Sequence, residues 1–127
     1  MSQEVYVLWF KTADVASPND YHWSFFIAPV GSTKGTKFDA FATSSTTWTY
    51  SHVPNYEMTQ SVSYGGHTSL GRISDFDAFK SLMLATSLPK AGENCQTWIK
   101  NVVDGAVRKG SLPQSAATQV GTIPARP

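Results

Sequence analysis

Charged residues are scarce in this sequence, and neither sign dominates. Its 127 residues include 10 Lys and Arg and 9 Asp and Glu, which leaves a formal net charge of +1. The basic residues are spread thinly from Lys11 to Arg126, whereas proteins that bind phosphate backbones concentrate them. This distribution argues against a dominant surface for nucleic acid or for an anionic membrane.

Long apolar runs and cysteines are also lacking. No run approaches the roughly 20 residues that span a bilayer, so we expect no membrane insertion. The segment from Met1 to Glu4 lacks the basic and apolar regions that begin a secretory signal. The single cysteine, Cys95, cannot form an internal disulfide, which excludes a small secreted scaffold held by disulfides. These absences favour a cytoplasmic, soluble protein.

Aromatic residues, in contrast, are plentiful. They make up 13% of the chain, including 4 Trp, and 41% of all residues are hydrophobic. Large aromatic side chains bury much surface each, and a chain of this length has room for one core. We therefore expect a single domain over residues 1–110, followed by a tail over 111–127 that is flexible or laid on the surface.

The first part of the chain has the pattern of β-strands. Segments rich in β-branched and aromatic residues alternate with turn residues such as Gly31–Gly35 and Pro54–Asn55, and Gly65–Gly66 marks a further break. The predicted strands are Val5–Phe10, His22–Val30, Lys37–Thr43, Trp48–Tyr50, Gln60–Tyr64 and the short Leu70–Ile73. Two of them form an antiparallel hairpin around Gly31–Gly35.

The last third changes to a helical period. Ser74 is the predicted N-cap of a helix that Pro89 ends, and a second helix runs from Asn94 to Gly110. Strands followed by helices predict an α+β fold, here a small antiparallel sheet of about five to six strands followed by two helices. Asp75 and Asp77 suit the first turn of a helix without a metal, and no histidine stands at ligand spacing. We expect no metal and no cofactor.

Cys95 is the most informative single residue. With Asn94 as N-cap it is the first residue of the second helix, where free N–H groups and the helix dipole stabilise a thiolate or an oxyanion. It also begins an apolar stripe that faces the sheet, as a buried structural cysteine does. Position alone therefore leaves both a nucleophile and a buried small side chain open.

A thiol nucleophile needs a base that is near in space, most often a histidine. His22 begins the second strand beside a loop rich in turn residues, where a cleft can reach it. His52 and His67 stand in stretches next to Pro54 and Gly66, which are typical of solvated surface histidines. His22 is therefore the candidate base for Cys95.

Two short motifs resemble the circularly permuted papain-like thiol hydrolases. Asn94-Cys95-Gln96-Thr97-Trp98 is similar to the Asn-Cys-polar-polar-aromatic start of their catalytic helix, and Tyr21-His22-Trp23 is similar to their histidine-bearing strand. The superfamily includes lecithin–retinol acyltransferase-like proteins, NlpC-related permuted peptidases and permuted-papain isopeptidases. In all of them the strand with the histidine precedes the helix with the cysteine, as it does here.

The resemblance implies a permuted papain-like fold and a cysteine-dependent hydrolase or acyltransferase. Cys95 would attack an amide, isopeptide or acyl ester and His22 would act as base and then acid, on a small-molecule, peptide or protein-conjugate substrate. In the acyltransferase-like group a second histidine across the hairpin orients the first. The alternative is a catalytically inactive binding or structural protein on the same fold.

Asp39 is a tempting substitute for that second histidine. A hairpin centred on Gly31–Gly35, however, pairs Asp39 near Ile27, about five residues or roughly 16 Å from His22 at ~3.3 Å per residue. The stretch over residues 43–45 lies nearer and offers only hydroxyls. We therefore expect no acidic third residue: either a hydroxyl or a backbone carbonyl orients His22, or the site is a Cys95–His22 dyad, as the resemblance to the isopeptidase-like members implies.

Overall fold

The computed structural model describes residues 2–12, 18–44 and 46–126. Within these residues five strands are followed by three helices, which confirms the expected α+β class with a small antiparallel sheet. The elements are β1 Gln3–Phe10, β2 His22–Pro29, β3 Lys34–Ala42, β4 Trp48–Glu57, β5 Tyr64–Ile73, α1 Phe76–Ala85, α2 Cys95–Arg108 and α3 Ser115–Val120.

The strands form one sheet in the order β4-β3-β2-β1-β5, and every neighbouring pair is antiparallel. The apolar strand β1 lies between β2 and β5, with Phe10 paired with His22 at one end and Gln3 paired with Pro29 at the other. His22 therefore begins β2 at the end of the sheet where β1 finishes.

One face of the sheet packs against the helices. Alternate residues of β1 and β2 point to this face, and the stripe of α2 covers them, as the helical period predicts. The central contacts are aromatic, since the Phe25 ring lies edge-on to both Phe79 and Trp98 at 5.7 and 5.6 Å. We call this the helical face; its buried strand residues include Val5, Val7, Trp23, Phe25, Ile27, Phe38 and Ala40.

The opposite face, here the polar face, has a smaller apolar cluster. Strand β4 continues through Pro54, and Asn55 has a φ of 54°, at a shift in register against β3. Beyond this point Tyr56 and Met58 pack on the polar face, where the Tyr56 ring lies 6.3 Å from Phe26. The expected break at Pro54–Asn55 is thus a bend within an edge strand, where the missing N–H of proline is tolerated.

Gly65–Gly66 is not a break but part of β5. A Cβ at Gly65 would lie 2.2 Å from Trp9 Cζ3, and one at Gly66 would lie 2.8 Å from Trp9 Nε1. Because these two positions have no side chain, the Trp9 ring packs directly against the backbone of β5. The expected strand over Gln60–Tyr64 is replaced by a turn, and β5 begins only at Tyr64.

The helix limits follow local capping. Asp75, not Ser74, is the N-cap of α1, because its carboxylate accepts the N–H of Ala78 at 2.9 Å. The predicted cap of α2 is confirmed: Asn94 accepts from the N–H groups of Gln96 and Thr97. Thr97 in turn accepts the N–H of Asn94, which completes a capping box.

The expectation of a flexible or surface-laid tail after residue 110 is wrong. This segment contains a third helix, α3, and belongs to the helical-face core. Ala116 and Val120 are buried on one side of α3, and Leu112 before the helix and Ile123 after it are buried as well. Helix α3 packs against α2 and β5. The core therefore continues beyond residue 110.

None of the helices in the part of the chain that the structure describes has the length and apolar character needed to cross a bilayer.

Candidate active site

Cys95 is the first residue of α2, as the sequence predicts. Its side chain is turned toward the sheet and is only 1% exposed. The Sγ atom accepts the backbone N–H of Trp23 at 3.4 Å and lies 4.0 Å from the carbonyl oxygen of Tyr21. The thiol therefore touches the backbone of the two residues on either side of His22.

His22 points to the polar face of the sheet. Its Nε2 atom lies 2.8 Å from Asp39 Oδ1, and its ring lies 5.9 Å from the ring of Phe10. The side chain is 14% exposed, so the end of the sheet leaves it partly accessible.

The structure places the two predicted site residues at the same point of β2 but does not join their side chains. No hydrogen bond between Cys95 Sγ and an imidazole nitrogen of His22 exists among the described residues. The physical reason is strand alternation: Trp23 packs on the helical face with Cys95, so His22 projects to the other side. The buried thiol of Cys95 therefore contacts the backbone at the start of β2 and not an imidazole.

Asp39 is the residue that sequence reasoning placed wrongly. The β2–β3 register pairs Phe25 with Phe38, which brings Asp39 two residues from His22 along the strand and onto the same face. The turn begins earlier than expected, since Ser32 N donates to Pro29 O at 2.9 Å and Gly31 takes a φ of 85°. Glycine accepts this φ without strain, so Pro29–Ser32 was the signal for a tighter hairpin.

Asp39 is the centre of a buried charged cluster. Its second oxygen, Oδ2, accepts from Lys37 Nζ at 2.8 Å, and Ser24 Oγ donates to Oδ1, the oxygen that faces His22. The side chains of Asp39 and Lys37 are 5% and 19% exposed. Burial raises the pKa of Asp39, but the hydrogen bond and charge of His22 and the charge of Lys37 outweigh it, so the pKa lies below its ordinary 3.8. Asp39 is therefore an ionised partner that fixes the imidazole.

The first turn of α2 offers one open donor beside the thiol. The N–H groups of Gln96 and Thr97 are both taken by the Asn94 side chain, at 3.0 and 3.3 Å. The N–H of Cys95 itself has no acceptor among the described residues. An oxyanion at this position would therefore rely on the Cys95 N–H, not on the whole helix end.

The carboxyl-terminal residues bind to the neighbours of the thiol. Gln96 Nε2 donates to the carbonyl oxygens of Tyr21 and Ala125, at 2.9 and 2.8 Å, and Trp23 Nε1 donates to Pro124 O at 2.9 Å. The Tyr21 N–H also donates to Ala125 O at 2.8 Å. These bonds hold the segment Ile123–Arg126, here the closing segment, against the start of β2 and α2.

Asp20 ties the closing segment to the helix cap. Its Oδ2 accepts from Asn94 Nδ2 at 2.7 Å, while its Oδ1 lies 2.9 Å from Arg126 Nη2. The cap of α2 is therefore linked through one carboxylate to both the closing segment and the loop that precedes β2.

The other histidines lie away from this site. His52 stacks on Phe38 at 6.1 Å, and His67 contacts Tyr64 Oη through Nδ1 at 2.6 Å. Within the described ranges, no group of three or more His, Cys, Asp or Glu residues is arranged to hold a metal ion. Asp75, which sequence reasoning weighed as part of a metal pair, serves as a helix cap.

Comparison with known proteins identifies the family. Searches of curated proteins and of solved structures returned no match to this chain. The family described as "Family of unknown function (DUF6540)" matches residues 8–113, which include the end of β1, strands β2 to β5, the first two helices and all three residues of the candidate site. The chain therefore belongs to the DUF6540 family.

Proposed function

We propose that the chain is a thiol-dependent hydrolase or acyltransferase with Cys95 as nucleophile, His22 as base and Asp39 as the residue that orients His22. One observation carries the proposal: Cys95 Sγ lies against the backbone on both sides of His22, while Asp39 holds the Nε2 edge of the imidazole. The resemblance to permuted papain-like enzymes supplies the substrate class, an amide, isopeptide or acyl ester.

The structure corresponds to a closed state in this proposal. Cys95 is buried, and its neighbours Gln96 and Trp23 are both bonded to the closing segment, so in this proposal a substrate reaches Sγ after those bonds separate. The same opening frees Sγ from the Trp23 N–H. The proposal further requires that Sγ and the imidazole of His22 meet around the end of β2, because strand alternation places them on opposite faces in the closed state.

The reaction then follows ordinary acyl transfer. His22 takes the thiol proton, and the thiolate attacks the carbonyl carbon while the carbonyl electrons move to oxygen, which accepts the Cys95 N–H. Collapse of this intermediate breaks the bond to the amine or alcohol, which leaves with the proton from His22, and a thioester remains. Water or an acceptor nucleophile gives a proton to His22, attacks the thioester and releases the thiolate.

Asp39 stabilises the imidazolium that forms in both steps. Its carboxylate is already ionised and aligned on Nε2, so it needs no rearrangement as His22 becomes charged. An unpaired cysteine also fits a reducing compartment, so we expect the enzyme to act in the cytoplasm.

Alkylation by iodoacetamide tests the proposal directly, because Cys95 is the one cysteine of the chain. The rate is measured against pH for wild type, His22→Ala and the matched control His52→Ala. A reactive pair predicts a rate that persists below about pH 7 and falls in His22→Ala but not in His52→Ala. A rate that rises only near pH ~8.5, where an ordinary thiol ionises, and that is unchanged in His22→Ala would overturn it.

A catalytically inactive binding or structural protein is the second candidate. The observation that favours it is the burial of Cys95, whose Sγ fills space on the helical face and accepts a backbone N–H, as a structural cysteine does. It predicts no turnover of p-nitrophenyl acetate by wild type beyond that of Cys95→Ser. Turnover that is present in wild type and lost in Cys95→Ser contradicts this candidate.

A further inference from the structure

The surface that holds the closing segment is fixed by contacts that do not involve that segment. The Tyr21 ring stacks on Trp9 with 5.1 Å between the ring centroids, and Gln96 Nε2 donates to Tyr21 O at 2.9 Å. Asp20 accepts a side-chain N–H of the α2 cap at 2.7 Å. We call the surface that Asp20, Tyr21, Trp23 and Gln96 form the docking surface. It is ordered independently of what binds to it.

The docking surface binds main-chain atoms of the closing segment. Trp23 Nε1 donates to Pro124 O at 2.9 Å. Gln96 Nε2 and the Tyr21 N–H both donate to Ala125 O, each at 2.8 Å. Because every residue has a carbonyl oxygen, another extended peptide can accept the same three hydrogen bonds.

The side chains of the closing segment define which peptides fit. Ile123 is 5% exposed and belongs to the helical-face core, and Ala125 is half-buried, whereas Pro124 between them is exposed. Arg126 forms an ion pair with Asp20 at 2.9 Å. A fitting peptide therefore has an apolar residue, a proline, a small residue and an arginine, in this order.

The sequence of this segment also favours an extended backbone. Residues 123–127 read Ile-Pro-Ala-Arg-Pro. A proline fixes its own φ at about −65° and disfavours the helical conformation of the residue before it. A peptide of this kind loses little conformational entropy when it is ordered on a surface, which is why proline-rich segments are common ligands of aromatic surfaces.

We propose that the docking surface binds an extended peptide of a partner protein, with the pattern apolar-Pro-small-Arg, in place of the closing segment. The three donors are in position before the peptide arrives, and Asp20 supplies the charge that its arginine complements. The peptide competes with a tethered segment, so we expect an apparent Kd in the millimolar range. Binding at this surface needs no reaction at Cys95, so it goes beyond the proposed function.

Saturation-transfer NMR tests the proposal with the full chain and the capped peptide Thr-Ile-Pro-Ala-Arg-Pro. We expect saturable binding with the strongest transfer to the Ile and Ala methyl groups, because the corresponding residues of the closing segment are buried and half-buried. The same peptide with Ala in place of Arg should bind wild type about two- to fivefold more weakly, the range for an exposed ion pair.

Variants of the closing segment and of the docking surface should act differently. Arg126→Ala weakens only the tethered competitor, so the arginine peptide should bind about two- to fivefold more tightly. Arg108→Ala, the matched control at the exposed end of α2, should leave the affinity unchanged. Asp20→Asn removes the charge that both ligands use, so the two peptides should bind this variant equally well.

Three results overturn the proposal. They are the absence of saturable transfer with both wild type and Arg126→Ala, equal affinity of these two proteins for the arginine peptide, and an arginine preference that persists in Asp20→Asn. A wild-type dimer in light scattering that dissociates when the peptide is added would assign the docking surface to a second copy of the chain, and would overturn the choice of a foreign partner.

Discussion

The two faces of strand β2 have chemically different surroundings. On the helical face its side chains are apolar and packed under α1 and α2, and Phe25 is the central ring. On the polar face the same strand carries His22 and Ser24 beside Asp39, and only a small apolar cluster accompanies them. The comparison teaches that one strand serves both stability and chemistry because alternate residues face opposite ways.

The largest expected effect is a difference in the free energy of unfolding between variants of two neighbouring phenylalanines, one on each face of β2. Phe25→Ala is expected to lower the free energy of unfolding by about 5 kcal/mol, the upper end of the usual range, because its cavity is enclosed by the sheet and two helices. Phe26→Ala, on the polar face beside Tyr6 and Tyr56, should cost about 3 kcal/mol, since that smaller cluster can collapse. Urea unfolding of both variants measures this, and a larger loss for Phe26→Ala would contradict the comparison.

The stabilisation that Asp39 contributes on the polar face should depend on pH. Asp39→Asn is expected to lower the free energy of unfolding by about 2–3 kcal/mol at neutral pH, because it leaves Lys37 and His22 without their carboxylate. The folded-state pKa of Asp39 lies below its ordinary 3.8, so this stabilisation is present above that value and is lost as pH falls through the folded-state pKa.

Urea unfolding of wild type and Asp39→Asn from neutral pH to below about pH 4 checks the sign. The gap between the two proteins should narrow as the solution becomes acidic. Asp77→Asn is the matched control, since Asp77 is exposed in the first turn of α1, where a carboxylate interacts with the helix dipole. A gap that stays constant with pH would show that the carboxylate charge is not what stabilises the cluster.

Loosening the closing segment should change the alkylation rate of Cys95 more than it changes the stability of the fold. Gln96→Ala removes the donor that joins Tyr21 and Ala125, so we expect iodoacetamide to alkylate Cys95 about fivefold faster, as a loss of ~1 kcal/mol predicts. Gln119→Ala, an exposed change on α3, is the control and should leave the rate unchanged. Equal rates in wild type and Gln96→Ala would mean that the closing segment does not limit access.

The smallest effect is expected at the surface. Arg126 pairs with Asp20, but its side chain is 68% exposed, so Arg126→Ala should lower the free energy of unfolding by no more than about 1 kcal/mol. The change sharpens the comparison because it removes an exposed ion pair where Asp39→Asn removes a buried one. Thermal unfolding in low and high salt measures it, and a loss as large as that of Asp39→Asn would contradict the difference.

Local features of the site could be read from the sequence. Asn94 and Thr97 stand at the spacing of a capping box, so the start of α2 and the place of Cys95 follow from four neighbouring residues. The strand that begins at His22 was equally clear from its apolar run.

The register and the last segment could not be read in the same way. Two overlapping turn signals, Pro29–Ser32 and Gly31–Gly35, compete for the β2–β3 hairpin, and the first of them sets the pairing that brings Asp39 to His22. The observed pairing of Phe25 with Phe38 centres the hairpin between residues 31 and 32, whereas a turn over Gly31–Gly35 centres it on Thr33. This shift of the centre by 1.5 residues moves the register by about three residues. The hydrogen bonds from Trp23, Gln96 and Tyr21 to the closing segment go to its carbonyl oxygens, which every residue has, so the side chains of Pro124 and Ala125 do not predict them.

The closing segment also has a consequence for how the protein is made. Trp23 and Pro124, which meet in one hydrogen bond, are 101 positions apart in the chain. A ribosome delivers residues in order, and contacts so distant along the chain form late and slowly. During synthesis the thiol of Cys95 should therefore stay uncovered until residues 124 and 125 have emerged, and reagents added to nascent chains would meet a cysteine that the finished protein conceals.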